Sequence, residues 1–306
     1  MKYIPKDCPK YYLDELDSPV AKIDSGEKIC VDLYDTYTGQ ISSENILRNS
    51  IDHRRMTPLT GPVYINDSEP GDVLRVDIHE INVAPKGVMP LAHGMGTLGD
   101  QVDHISTKVF SVSAEKILFS KQIHLPLLPM IGTIGLAPAG DKVRAFTPGD
   151  FGGNMDFNGI NPGCSIFFPI SVPGGLLYLG DLHAIQGDGE LSGTGLEIAG
   201  SVMLTTTVIR NLQLLRPVVY SNGTISFIAS HRSLEKAITI AIDDSIAWLR
   251  KEFDLDFSDA YRLVSLVGNI RICQLVNPKV TVRLDISNNV LDFNSLFDGG
   301  AKKQNQ

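Results

Sequence analysis

The sequence predicts a large mainly-β body with a smaller α/β portion on its C-terminal side, and three observations predict it. Glycine and proline punctuate the first two-thirds of the chain and leave few candidates for a long helix. Short apolar runs, alternating or continuous, recur between those turn signals. Near Ser233 the character changes, and apolar residues fall into spacings of three and four.

Taken in order, strands are expected over residues 28–34, 73–83, 108–112, 165–170 and 176–179. Val73-Leu74-Arg75-Val76-Asp77-Ile78 alternates apolar with polar, the pattern of a half-buried strand, and Glu69-Pro70-Gly71-Asp72 before it is turn chemistry. Residues 192–216 continue the strand-rich character, with Thr205-Thr206-Thr207-Val208-Ile209 β-branched throughout. Asp35 either extends the 28–34 strand or opens a turn at Thr38-Gly39. A helix is expected from an N-cap at Ser233 to near Phe253, with Leu234, Ala237, Ile238, Ala241, Ile242, Ile246 and Leu249 on its apolar face. A second follows Asp256-Phe257-Ser258, and strands over 270–276 and 279–286 close the fold. The organisation expected is a mainly-β body over residues 1–232 carrying the site loops, an α/β portion over 233–290 packed on it, and a polar tail over 291–306 that frays at its end.

Composition narrows the class. With 43 % hydrophobic and 20 % charged residues in 306, the chain reads as a soluble globular protein. A formal charge of −8 argues against nucleic-acid binding. No segment approaches the ~20 apolar residues of a membrane span, and the start has no apolar signal core. Cys8, Cys30, Cys164 and Cys273 lie far apart without a CxxC pair, which suits reduced thiols in a cytoplasmic protein.

The chemistry concentrates in Gly180-Asp181-Leu182-His183-Ala184-Ile185-Gln186-Gly187-Asp188-Gly189-Glu190, which follows the apolar run 175–179. On a strand, residues i and i+2 share a face, so Asp181 and His183 point the same way. A carboxylate oxygen and an imidazole nitrogen converging from a rigid strand suit a metal such as zinc. A second acidic, glycine-rich patch, residues 146–156, holds Asp150, Asn154 and Asp156. Turn chemistry alone explains it in isolation; beside the first segment it reads as a second loop of one pocket. Glu197, after Gly193-Thr194-Gly195-Leu196, is a carboxylate among small and apolar residues that either binds a cation or lies exposed on a strand. His93 immediately precedes Gly94-x-Gly96-x-x-Gly99, which matches a dinucleotide fingerprint by letter but follows Pro90 rather than a strand. A loop that delivers His93 to a pocket is the functional reading there. Cys164 heads an apolar run and reads as a buried, inert thiol rather than a nucleophile.

These segments, Gly149 to Asp156, Gly180 to Glu190 and Gly193 to Glu197, strongly resemble the acetamidase/formamidase family. Thr60 to Ile65, Glu69 to Leu74 and Asp35 to Gln40 resemble that family's N-terminal patterns, and the likeness runs to about Asn289. The resemblance implies a mainly-β fold with β-sandwich or jelly-roll-like elements, a cytoplasmic homo-oligomer (a dimer is favoured), and hydrolysis of short aliphatic amides to a carboxylate and ammonia.

The expected mechanism is metal-assisted. Asp181, His183, Asp156 and Glu197, with His93, would ligate a divalent metal, zinc in the first place and calcium as the alternative or additional ion. Glu190 or Asp188 would act as general base, and Gln186 would orient the amide or support a ligand. Backbone N–H groups near Gly187 to Gly189 would stabilise the oxyanion, with Phe151 or Met155 as a pocket wall. The rival reading is a β-sandwich that binds a metal or a small ligand without turnover.

Overall fold

The structure is a computed structural model that describes residues 1–113, 116–291 and 293. Two sheets face each other. The larger has nine strands in the spatial order Lys2–Ile4, Lys28–Leu33, Gly200–Ile209, Val73–Val83, Ser165–Pro169, Val218–Ser221, Thr224–His231, Val280–Ser287 and Asn269–Gln274. The smaller has five: Gly152–Asn154, Met130–Leu136, Leu177–His183, Leu59–Ile65 and Ala21–Ile23. Most neighbours are antiparallel; Lys2–Ile4 with Lys28–Leu33, and Ala21–Ile23 with Leu59–Ile65, are parallel.

Period-two alternation divides the strands of the large sheet between two cores. Leu74, Val76, Ile78, Ile166 and Phe168 enter the layer between the sheets, where Ile131, Ile134, Leu177 and Leu179 of the small sheet meet them. Val73 and Phe167 point the other way, into a second core with Phe227, Trp248, Leu249 and Leu284. Two helices cover that outer face, α1 (Leu234–Phe253) and α2 (Phe257–Val267). Ser233 caps α1 by accepting from the Lys236 N–H, and Asp256 caps α2 by accepting from Asp259. The strands of the C-terminal portion, Asn269–Gln274 and Val280–Ser287, continue the large sheet edge to edge.

The apolar run at 176–179 is only the first part of its strand, which also carries Asp181 and His183 as their shared face required. The strand runs on through Gly180 and Asp181 to His183, because both its edges find partners in Met130–Leu136 and Leu59–Ile65. Asp35 takes the turn option, accepting from the N–H groups of Tyr37 and Gly39. The tail expected to fray at 299–306 lies outside the described residues. No helix among those described is long and apolar enough to cross a membrane.

Phe227 packs against Trp248 with ring centroids 6.0 Å apart at the centre of the outer core. Phe227→Ala is expected to lower stability by about 3–5 kcal/mol, through lost transfer energy and the cavity left behind. A urea or guanidinium midpoint shifted accordingly, with an unchanged slope, is the measurement.

Candidate functional site

The strand Leu177–His183 supplies the first two site residues. Antiparallel pairing sets Gly180 opposite Thr133 and His183 opposite Met130, so Asp181 stands across from Gly132. Asp181 has φ of 61°, and Asp156 and Glu190 have 49° and 48°. A non-glycine residue in the left-handed region costs free energy, and such positions cluster where structure is held for function. Gly132 leaves the room these carboxylates occupy. A Cβ at Gly132 would stand 2.6 Å from Asp156 Oδ1 and 2.9 Å from Asp181 Oδ2.

His183 is fully buried, and its Nδ1 lies 2.7 Å from Gln186 Oε1. The Gln186 amide nitrogen donates to the Asp156 backbone carbonyl at 2.9 Å, so its oxygen faces the ring and Nδ1 carries the proton. Nε2 then points at carboxylates. It lies 3.1 Å from Glu197 Oε1 and 3.6 Å from Asp181 Oδ1 without being aligned for a hydrogen bond to either. Glu197 arrives because the chain folds back: Ala184 N–H donates to Leu196 and Ile198 N–H to Leu182, which bridges His183 to Glu197. Gly195 in that return passes flat against the imidazole, where a Cβ would come 2.5 Å from Nδ1. Thr194 Oγ1 donates to Glu197 Oε1 at 2.6 Å, which leaves Glu197 Oε2 buried and unpartnered.

Burial and mutual repulsion set the protonation. Burial pushes the Glu190 carboxyl up to about 8, with His183 opposing and the Glu197 and Asp181 charges adding. Burial likewise raises Glu197 to about 7 against the pull of His183. Asp156 is held well above the ordinary carboxylate range by burial and by the charges of Glu190 and Asp181. Burial would raise Asp181 too, but the adjacent His183, with the hydroxyls of Thr36 and Thr133, brings it below its usual value. Burial disfavours a charged His183, yet Glu197 and Asp181 overrule that and hold its pKa well above normal. The spot at Nε2 therefore calls for positive charge, either a proton on the ring or a metal ion.

The donors suit an ion. Ligand atoms of Asp181, His183 and Glu197 lie within 4.8 Å of one another, as do those of Asp156, His183 and Glu190. With Nδ1 committed to Gln186, Nε2 is the one nitrogen left for either group. One imidazole nitrogen among carboxylate oxygens is a donor set for zinc or a similar divalent metal. The unpartnered Nε2 and Glu197 Oε2 are the atoms such an ion would satisfy.

Five expected residues therefore converge: Asp156, Asp181, His183, Glu190 and Glu197. Gln186 stands behind them and fixes His183 and the Asp156 backbone. His93 is exposed on the rim of the same pocket, outside both donor groups. Asp188 is elsewhere: both its oxygens accept from Arg283 at 2.9 Å, and it borders a neighbouring apolar groove. Of the expected oxyanion donors, Gly189 N–H is otherwise engaged, binding the Cys273 carbonyl, and the neighbouring Glu190 N–H binds Gly187. Met155 and Phe151 pack in cores, and Phe146 lines the pocket instead. Cys164 is buried, and burial pushes its thiol up to about 12.

Asn277 and Thr133 escaped sequence reading, and beside them stands Asn154 of the second glycine-rich patch. Asn277, in the turn before the last strand, donates to Asp156 Oδ2 at 2.7 Å. Asn154, with its amide nitrogen turned inward, lies 2.9 Å from Asp181 Oδ2 while its oxygen accepts from Asn277 at 3.1 Å. Thr133 donates to Asp181 at 3.2 Å. Nothing local to Asn277-Pro278 signals a partner more than a hundred residues upstream; for Thr194 the signal was its place in the Gly193–Glu197 segment.

Gly132→Ala is expected to weaken divalent-cation binding about 10- to 100-fold, the scale of disturbing a ligand's supports. Calorimetric titration with zinc measures this. A pH dependence follows as well. In cation-free protein the folded state keeps a proton on Glu190 to about pH 8, whereas the unfolded chain loses it near 4.5. The folded state binds more protons in that window, so stability falls as pH rises through it, by up to about 1.4 kcal/mol per pH unit from this group. Glu190→Gln is expected to flatten that slope in denaturation series between those pH values.

The acetamidase/formamidase family model matches residues 14–145 and 139–293. An acetamidase of Bacillus halodurans, known from a crystal structure, is 34 % identical and superposes with a TM-score of 0.93 over 95 % of this chain and 98 % of that one. A recombinant predicted acetamidase/formamidase of Thermoanaerobacter tengcongensis is 38 % identical, with a TM-score of 0.93 over 95 % of this chain and 97 % of that one. A formamidase of Methylophilus methylotrophus is 25 % identical over 63 % of this chain and 62 % of its own length. An acetamidase of Mycolicibacterium smegmatis is 24 % identical over 59 % of this chain and 60 % of its own length, so the chain spans less than two thirds of these curated relatives. With the family model running through nearly all the described sequence and the fold matching end to end, the chain belongs to the acetamidase/formamidase family.

Proposed function

We propose that the protein hydrolyses the C–N bond of short amides to a carboxylate and ammonia, in the pocket floored by Asp156, Asp181, His183, Glu190 and Glu197. The observation that carries the reading is His183 Nε2, buried between two carboxylates with its other nitrogen tied to Gln186. Asp181, His183 and Glu197 would hold a divalent cation, zinc by the mixed nitrogen–oxygen donor set, with Asp156 in the second donor group around the same imidazole. Such an ion, when bound, polarises an amide carbonyl and makes water a competent nucleophile near neutral pH.

The residues of the chain have separate tasks. Glu190 takes the proton of the attacking water and returns it to the departing nitrogen; a carboxyl whose pKa is raised to about 8 by burial is suited to both transfers near neutrality. Asp156, held by Asn277 and backed by Gln186, shares the proton load with Glu190. Thr194 and Tyr37 hold Glu197 in place, Thr194 directly and Tyr37 through the Thr194 hydroxyl at 3.4 Å. Asp188 takes no part, since Arg283 occupies both its oxygens. The walls exclude bulk water from the floor, where all four carboxylates are less than one-tenth exposed.

Glu190→Gln is expected to lower kcat for acetamide or formamide by about 10²- to 10⁴-fold, with metal content and fold retained. His183→Ala is expected to lose metal and turnover together. Elemental analysis and ammonia release on the same samples separate the two. Loss of metal in Glu190→Gln would make Glu190 a ligand instead of the base. Metal-loaded parent protein that cleaves no short amide would leave only the binding role.

A further inference from the structure

The pocket is larger and more polarised than a two-carbon amide needs. Its volume is about 490 Å³, within the ~300–1,000 Å³ range of sites that enclose drug-sized ligands, whereas acetamide has four heavy atoms. The same pocket that Asp181, Glu190 and Glu197 line is also lined by two arginines, Arg48 and Arg144.

Neither arginine has an acidic partner among the described residues, although the chain carries a formal charge of −8. Arg216 and Arg283, by contrast, each hold aspartates. Arg48 Nε is buried and makes no hydrogen bond. A buried guanidinium donor left unpaired is costly, and its fork matches a carboxylate. Arg144 is set in place by aromatic neighbours: it stands 5.2 Å from the Tyr12 ring centroid and 5.0 Å from that of Phe146, and donates to the Tyr12 hydroxyl at 3.0 Å. Its orientation is fixed by groups that leave its charge unneutralised.

Arg48 and the carboxylate floor have Tyr37 as a common neighbour in the pocket. Burial raises the pKa of the Tyr37 phenol, with the Glu197 charge adding and the Arg48 charge opposing, so the hydroxyl feels both. From that hydroxyl, Thr194 alone bridges to Glu197, at 3.4 and 2.6 Å. A ligand spanning floor and arginines carries its amide and its anion on one short chain.

We propose that the substrates are amides bearing a carboxylate a few bonds away, namely monoamides of short dicarboxylic acids, with Arg48 and Arg144 binding the free carboxylate. The inference rests on the amidase reading of the floor. Water oxygen bonds to the acyl carbon, the C–N bond breaks, nitrogen leaves as ammonia with the transferred proton, and the product is a dicarboxylate. The floor's carboxylates repel an anion and the arginines attract it, so the substrate has one favoured orientation.

The test compares kcat/KM for primary amides that end in a carboxylate, across one to three methylenes, with neutral analogues that end in a methyl group. The anionic amides are expected to lead by at least about tenfold, chiefly through KM, and the lead is expected to shrink with added salt. In Arg48→Gln and in Arg144→Gln the ratio is expected to fall towards one, with Arg48→Lys recovering part of it. A ratio at or below one in the parent protein, with neutral amides still cleaved, overturns the proposal and leaves the amidase reading standing. If no amide is cleaved, the amidase reading falls and calorimetry decides the anion site. Succinate binding more tightly than butyrate, with Arg48→Gln abolishing the difference, supports it; equal binding overturns it.

Discussion

The hydrogen bond between Gln186 and His183 Nδ1 decides what the rest of the pocket can do. By accepting from Nδ1, Gln186 leaves Nε2 as the ring atom that faces Asp181 and Glu197. By donating to the Asp156 backbone carbonyl, the same amide ties the 184–196 return to the segment after Gly152–Asn154. An imidazole free to rotate would satisfy itself with whichever carboxylate came near. Pinned at one nitrogen, it presents the other at a fixed place, which is the geometry a metal or a proton then exploits.

Four buried carboxylates around one imidazole cannot all be ionised without compensation. At separations within 4.8 Å, two unit charges repel by about 3–4 kcal/mol at an effective dielectric near 20. The protein answers in two ways. Asp156, Glu190 and Glu197 retain protons to higher pH, and Asp181 alone gains enough from His183 and two threonine hydroxyls to stay ionised. The second answer is rigidity. The strand carrying Asp181 and His183 is central in its sheet, buried on every residue, and flanked on both edges. The left-handed turns at Asp156, Asp181 and Glu190 persist because the packed sandwich fixes the backbone around them.

The fold was legible where periodicity speaks. The Val73–Val83 strand and the start of α1, with Ser233 as its cap, were readable from spacing and cap residues alone, whereas α2 begins at Phe257 with Asp256 as cap, earlier than the expected start after Ser258. The convergence of the two acidic glycine segments was readable from composition, since such loops in a β body invite a common purpose. Long-range register was not. The strand placing of Asp181 and His183 was readable, but the pairing on both edges that holds it to His183 was not. Asn277 and the Arg283 clamp on Asp188 depend on the last strands returning beside the site, and Asp188 and Glu190, two residues apart, were chemically equivalent until that return was known. The backbone donors of Gly189 and Glu190 were likewise spent on Cys273 and Gly187, a fact that only the folded chain contains.

Size limits what such a floor can select. A four-heavy-atom amide gains at most about 6 kcal/mol on the ceiling of ~1.5 kcal/mol per heavy atom, and most of its surface resembles that of any other small polar molecule. Discrimination from the amide group alone is therefore weak unless an ion orients it. Charge arranged at a distance adds what contact area lacks. In this pocket, buried carboxylates and two arginines without acidic partners among the described residues line the same cavity, in a chain with aspartates and glutamates to spare. Had the arginines served only stability, pairing them with the nearby acids would have lowered the energy of both. Left unpaired, they keep positive charge in the pocket that holds the carboxylates, which acts on a ligand with a negative charge at one end and an amide at the other, and has little hold on one without.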